Sequence, residues 1–129
     1  MLTEQATDTP IDRLQPVASA EEILGAIEEA KAIYVEESLN RYVVALLRHT
    51  RTDSRLYLGA SPRAGIALLR VAKARALVAG RDYIKPDDVK AVAPAVLAHR
   101  LIVAPEARSA GLGPDELVRD ALERTPVPV

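Results

Sequence analysis

The chain has 129 residues, a net charge of −1, 49% hydrophobic residues, four tyrosines as its only aromatics and no cysteine. This supports one small domain with a core of Leu, Ile, Val and Ala, a composition suited to close-packed helices, and excludes disulfides and thiolate metal sites. His49 and His99 are the only histidines, so no metal site is expected; without a membrane-length apolar run or a basic-then-apolar leader, membrane insertion is not expected and the cytoplasm is the expected location.

Residues 1–18 read as a lead-in. Thr9-Pro10 and Gln15-Pro16 interrupt any helix, while Ile11, Leu14 and Val17 are candidates to dock on the domain. A first helix is predicted from Ser19, whose spacing to Glu22 is that of a capping box. Ile23, Ile27, Ala30 and Tyr34 would form its inward face. A second helix begins near Glu36-Glu37-Ser38, with acids at the positive end of the dipole, and finishes with Arg48, His49 and Arg51 at the negative end. Its apolar stripe is Leu39, Tyr42, Val43, Leu46 and Leu47. His49 reads as a helix-end charge, since no nucleophile or carboxylate constellation accompanies it.

Residues 52–60 form a loop or short extended piece anchored by Leu56, Tyr57 and Leu58. The third helix runs from Pro62 to about Ala79 and is stopped by Gly80. Ile66, Leu69, Ala76 and Leu77 are expected inward, and the many alanines would let neighbouring helices approach closely. Arg81 to Ile84 is a short connection, with Tyr83 and Ile84 covering the core. The fourth helix opens with Pro86-Asp87-Asp88, turns Val89, Val92, Ala93, Val96 and Leu97 inward, and is expected to kink at Pro94. Residues 102–113 read as a loop. A fifth helix starts near Pro114, buries Leu117, Val118, Ala121 and Leu122, and ends before an extended tail at 126–129. The sum is an all-α fold, a small bundle of about five helices with at most very short extended segments.

Charge is distributed unevenly: net −6 over residues 1–47, +7 over 48–81 and −2 over 82–129. The basic third contains Leu58-Gly59-Ala60-Ser61-Pro62-Arg63-Ala64. Ser61 is an N-cap, and Pro62 suits the first helical position, where its missing N–H costs nothing. Arg63 follows, and side chains lean toward the N-terminus of their helix. With free amides and the dipole, that end is a candidate phosphate site. The same residues also describe a well-capped helix with a surface arginine, the commoner case. A helix-turn-helix nucleic-acid binder is disfavoured, because the bases scatter around the third helix and the flanking acids cancel them. No nucleic-acid partner is expected.

Gly59-Ala60-Ser61-Pro62-Arg63-Ala64, then Ala79-Gly80-Arg81-Asp82-Tyr83-Ile84-Lys85-Pro86-Asp87-Asp88-Val89, together resemble the C-terminal lid of a MoxR-type AAA+ ATPase. The resemblance extends forward through Val92 to Leu101 and back through Leu14-Gln15-Pro16-Val17 and Ser19-Ala20-Glu21-Glu22-Ile23, covering nearly everything from Thr9, and the Val127-Pro128-Val129 tail is similar too. It implies a lead-in linker at 1–18, a lid over 19–125 carrying a sensor-2 motif, and a tail at 126–129. In that family Arg63 would reach the γ-phosphate of ATP as a catalytic residue, with Ser61, Pro62 and Ala64 beside the nucleotide. Lys85 departs from the Thr or Ser that often precedes the Pro-Asp-Asp turn, which weakens a cap.

The sequence has no Gly-x-x-x-x-Gly-Lys-[Ser/Thr] loop and no apolar strand ending in magnesium-binding acids. The resemblance therefore implies that an N-terminal AAA+ core of the same protein holds ATP and Mg2+, and that this stretch alone is inactive. It also implies neighbouring subunits in a hexameric ring, a partner with a von Willebrand factor A domain, and a chaperone-like role in maturing client complexes. The alternative is a stand-alone helical protein-interaction module.

Overall fold

The computed structural model describes residues 10–128. Residues 1–9 of the lead-in and Val129 of the tail lie outside the described residues, as does Thr9, where the resemblance begins. The described chain forms six helices: α1 (Ala20–Ala32), α2 (Glu37–Thr52), α3 (Pro62–Val78), α4 (Pro86–Leu97), α5 (Pro105–Ser109) and α6 (Pro114–Arg124). Two short strands, β1 (Leu56–Leu58) and β2 (Ile102–Val103), pair antiparallel with Leu56 opposite Val103 and Leu58 opposite Ile102. Single 3-10 turns lie at Pro10–Arg13 and Ala98–Arg100.

The helix ends follow from their caps. Ser19 Oγ accepts the Glu22 N–H at 3.1 Å and Glu22 returns a carboxylate to the Ser19 N–H at 2.6 Å, the reciprocal box expected from the sequence. That hydrogen bond from the Ser19 backbone holds the Glu22 carboxyl below its ordinary range. At α2 the Glu36 side chain accepts the Ser38 N–H at 2.9 Å. α3 is capped at its C-terminus by Ala79, and Gly80 takes φ +69° while the Arg81 N–H returns to the Ala76 carbonyl at 2.9 Å. That left-handed turn is the reason a glycine stops this helix. At α4, Lys85 gives no side-chain cap; its N–H instead donates to Asp88 at 2.8 Å. The helix runs through Pro94 to Leu97.

The core sits where α2, α3, α4 and α6 meet. α2 buries Leu39, Tyr42, Val43, Leu46 and Leu47, the whole predicted stripe, and α4 buries Val89, Ala93, Val96 and Leu97. α6 contributes Leu117, Val118 and Ala121. Burial pushes the Tyr42 phenol up from its ordinary value, with the Asp87 charge adding to the effect.

Four expectations need correction. The inward face of α3 is Ala64, Gly65, Leu68, Ala72 and Ala76; Leu69 and Leu77 are only partly buried and Ile66 is 55% exposed. Small residues win that face because they let α3 lie close against α2 and α4, while the larger side chains are turned outward. α1 buries no residue at all, and Ile23, Ile27 and Tyr34 are exposed, because this helix packs mainly on α3 among the described residues. Residues 102–113 are not simply a loop, since they hold β2 and α5. Of the anchors proposed from sequence, Leu56 and Ile84 are buried, whereas Tyr57, Leu58, Tyr83, Ile11, Leu14 and Val17 are exposed.

Two ion-pair clusters tie the bundle across its connections. Asp88, nearly fully buried at the start of α4, accepts Nη1 and Nη2 of Arg81 at 2.7 Å each, and Arg75 Nε lies 3.4 Å away. The Arg81 hydrogen bonds hold the Asp88 carboxyl below the usual carboxylate range. In the second cluster Arg55 bridges Asp53 and Asp120, pinning α6 to the turn after α2, and Arg124 donates to Asp120 at 2.9 Å. Arg55 lowers both carboxyls, and they in turn raise its own pKa.

Candidate functional site

The candidate site is the start of α3. It is reached from α2 through β1 and two residues, Gly59 and Ala60. Ser61 is the N-cap, extended at φ −83° and ψ 162°, and its hydroxyl accepts the Ala64 N–H at 3.4 Å. Pro62 occupies the first helical position. The structure therefore brings Ser61, Pro62, Arg63 and Ala64 into one helical turn, but they do not share one environment. Ser61, Pro62 and Arg63 are exposed, and Ala64 is fully buried. The Ala64 side chain belongs to the core and seats the turn on it.

The supply of free amides is smaller than the sequence reading assumed. Pro62 has no N–H, and those of Ala64 and Gly65 return to Ser61. Among the first-turn donors only the Arg63 N–H lacks a partner among the described residues. An anion here would be held mainly by the guanidinium.

Charge sets this helix apart. α1, α2, α4, α5 and α6 each carry an acid in the first turn, where the dipole favours one; α3 carries none and has Arg63 there instead. Arg63 has no ion-pair partner among the described residues, and neither have Arg48 or Arg51 on the last turns of α2. Arg48 and Arg51 line a groove between α2 and α3 that also includes Val43, Leu47, Pro62 and Ile66. A second groove, between α1 and α3, is lined by Ile27, Ile66 and Leu69, with Lys31, Arg70 and Lys73 at its edge. Exposed Ile66 thus stands between two apolar troughs, each with a basic rim.

Thr50 was missed in the sequence, whereas Gly59 reads there as allowing a tight approach to a helix start. Thr50 is 1% exposed; its Oγ1 donates to the Leu47 carbonyl at 2.7 Å and accepts the Ala60 N–H at 3.0 Å. The signal was available, because Thr50 continues the α2 stripe at i+3 from Leu47 and i+4 from Leu46. Gly59 lies against the end of α2, where an added Cβ would stand 2.4 Å from the Thr50 carbonyl oxygen. The tight approach expected of this glycine is therefore present, made to the end of α2.

Among the described residues, no helix is long and apolar enough to cross a membrane, and no group of three or more His, Cys, Asp or Glu side chains is placed to hold a metal ion. His99 Nδ1 lies 3.1 Å from the Ala95 carbonyl at the end of α4.

Comparison with known proteins places this geometry in a family. Residues 48–121 match the AAA lid domain. The chain is 36% identical over its whole length to an uncharacterized protein, YeaC, of Bacillus subtilis, covering 40% of that protein. It is 33% identical over 121 residues to the chaperone MoxR1 of Mycobacterium tuberculosis, covering 87% of this chain and 32% of that one. Among solved structures, a "putative ATPase" from Cytophaga hutchinsonii superposes with a TM-score of 0.73 at 32% identity, over 79% of this chain and 34% of the other. The chain spans 32–40% of the length of these relatives. The matched region runs from the end of α2 into α6, and so holds the whole α3 start, the Asp88 cluster, the Arg55 bridge from Asp53 to Asp120 and the two-stranded sheet; with an all-α bundle around it and MoxR proteins among its relatives, the chain belongs to the AAA lid domain family and is a lid of the MoxR AAA+ ATPase type.

Proposed function

We propose that this lid closes over ATP held by a AAA+ core domain of the same protein, and that Arg63 reaches the γ-phosphate as its sensor-2 residue. The observation that carries the reading is the first turn of α3. Five helices obey the dipole rule, and the sixth breaks it with an exposed, unpaired arginine in a basic face. A cation placed against the positive end of a helix is unfavourable until an anion arrives, and a phosphate satisfies both at once.

In this reading Ser61 and Pro62 lie beside the nucleotide, Ala64 seats the turn from below, and residues 1–18 are the lead-in from the core. The ATP and its Mg2+ are bound by the core, and the lid supplies one positioned charge. In phosphoryl transfer several such charges act together, so the lid alone is inactive. The exposed faces of α1 and α3, with Ile23, Ile27 and Ile66 in the open, suit packing on the core and on a neighbouring subunit of a hexameric ring. The proposed setting is cytoplasmic. A von Willebrand factor A domain partner and chaperone-like maturation of client complexes complete the proposal, supported by the family and by the relative named a chaperone.

A second reading, a stand-alone helical interaction module, draws support from the same exposed apolar residues. ATP turnover separates the two. It is measured for this chain alone, for the chain mixed with a separately expressed core, and for the joined protein with and without Arg63→Ala. The lid reading expects no turnover from the chain alone. In the joined protein it expects a loss of about a hundredfold on Arg63→Ala, the scale of removing one charge-stabilising donor. Unchanged turnover in that variant removes Arg63 from the mechanism.

A further inference from the structure

Where Arg63 points depends on how the chain enters α3, and one buried hydroxyl governs that entry. Thr50 Oγ1 uses both of its capacities, donating to Leu47 within α2 and accepting from Ala60 across the turn. Ala60 is fully buried, so its N–H has no water to turn to if the hydroxyl is removed. On the same contact, Gly59 lies so close to the end of α2 that an added Cβ would be 2.4 Å from the Thr50 carbonyl oxygen and 2.7 Å from Arg51 Cα, both backbone atoms that cannot swing aside. Only Ser61 and Pro62 separate Ala60 from Arg63. The cap holds the first in its extended conformation and the ring fixes φ of the second. Little rotational freedom is left between the Thr50 hydroxyl and the Arg63 Cα.

We propose that Thr50 is a positioning residue for Arg63: its hydroxyl, with the Gly59 contact, clamps the Gly59–Ala60 segment to the end of α2 and thereby sets where the arginine stands. The inference rests on the reading of Arg63 as the side chain that reaches the nucleotide. A threonine that merely fills the core would affect stability without any coupling to Arg63.

The test is a double-mutant cycle in the joined protein, core plus lid, read as ATP turnover at saturating ATP. Thr50→Val keeps the shape and removes both hydrogen bonds, Thr50→Ser keeps both, and Gly59→Ala disturbs the same contact by steric pressure. Circular dichroism confirms that each variant is folded. Thr50→Val is expected to lower turnover by about tenfold or more, since small displacements of a charge-positioning group cost that much. Thr50→Ser should restore it to within about twofold of the parent, and Thr50→Val combined with Arg63→Ala should be no slower than Arg63→Ala alone, the mark of two residues acting through one path. Normal turnover in folded Thr50→Val beside a slow Arg63→Ala would overturn the inference, and so would losses that multiply in the double variant. If Thr50→Val does not fold, the cycle of Gly59→Ala with Arg63→Ala decides by the same criterion. Normal turnover in Arg63→Ala is a separate outcome: it removes the sensor reading itself, and this inference with it.

Discussion

Asp88→Asn preserves size and shape at the start of α4 and removes one charge. In the native protein the carboxylate, its side chain 5% exposed, takes both Nη atoms of Arg81 at 2.7 Å and the Lys85 N–H at 2.8 Å. An asparagine retains one oxygen and turns an amine toward a guanidinium. Each charge-assisted hydrogen bond contributes about 1.5–3 kcal/mol, and removing one partner of a buried pair costs about 3–5 kcal/mol. The Arg81 side chain is 20% exposed and can turn to water, which brings the expected loss to the low end of that range, about 3 kcal/mol. In a domain of this size that lowers the melting temperature by about 10 °C.

Thermal and urea unfolding followed by circular dichroism measures the loss, and pH gives a second reading. Arg81 depresses the Asp88 carboxyl in the folded state, while the unfolded chain titrates near its ordinary value of about 3.9. Such a group stabilises the fold above the unfolded value, and the contribution disappears as pH falls through the lower folded value. The gap between the native protein and Asp88→Asn should therefore be full at about pH 6 and shrink below about pH 4. Asp53 and Asp120 are depressed in the same direction by Arg55, but they titrate in both proteins and cancel from the difference. A loss under about 0.5 kcal/mol at neutral pH, the ordinary scatter of surface substitutions, would refute the assignment of Asp88 and Arg81 as a structural pair. A gap that stays constant into acid would do the same.

Other consequences are simpler to read. Leu46 is fully buried at the centre of α2, so Leu46→Ala should lower stability by about 3–4 kcal/mol in a urea titration. Gly80 and Gly25 both have open space where a side chain would go, but Gly80 sits at φ +69° and Gly25 is inside α1. Gly80→Ala should cost about 1 kcal/mol for the left-handed conformation, whereas Gly25→Ala should raise α1 stability by about 0.5–1 kcal/mol, seen as slower amide exchange in that helix.

Much of the architecture was written in local chemistry. The caps at Ser19, Ser61 and Gly80 mark helix ends through bonds among neighbours in sequence, and the strong apolar stripe of α2 could face only one way. The α3 stripe was right for Ala76 and in part for Leu69 and Leu77, but not for Ile66, because its rule is different. A central helix touching α1, α2 and α4 places its smallest residues at the closest approach, and a hydrophobicity pattern ranks Ile66 above Ala72 when the packing does the reverse. α1 failed for the opposite reason: an amphipathic face says that a surface should be covered without saying that this domain covers it. The Asp88–Arg81 and Arg55–Asp120 pairs were illegible because they join residues of different elements, 7 and 65 positions apart.

The candidate site was legible in part for the same reason the caps were. Ser61-Pro62-Arg63 is a local signature, and its departure from the dipole rule can be seen without coordinates. What the coordinates add is contrast. The acids in the first turns of the other helices show that the fold follows the rule wherever stability alone is at stake. The Asp88 and Asp120 clusters show that other cations of the basic stretch, Arg55, Arg75 and Arg81, are spent on internal pairs. Arg48, Arg51, Arg63 and Arg70 have no ion pair among the described residues and Lys73 donates only to the Lys31 carbonyl; the first three stand on the end of α2 and the adjoining start of α3. A net charge near zero therefore conceals a division of labour. The paired arginines hold the lid together, while Arg48, Arg51 and Arg63 face outward beside a turn tied to the end of α2 by Thr50, Gly59 and the Ser61 cap. A locally unfavourable charge on a rigidly held turn is the arrangement that binding an anion would relieve.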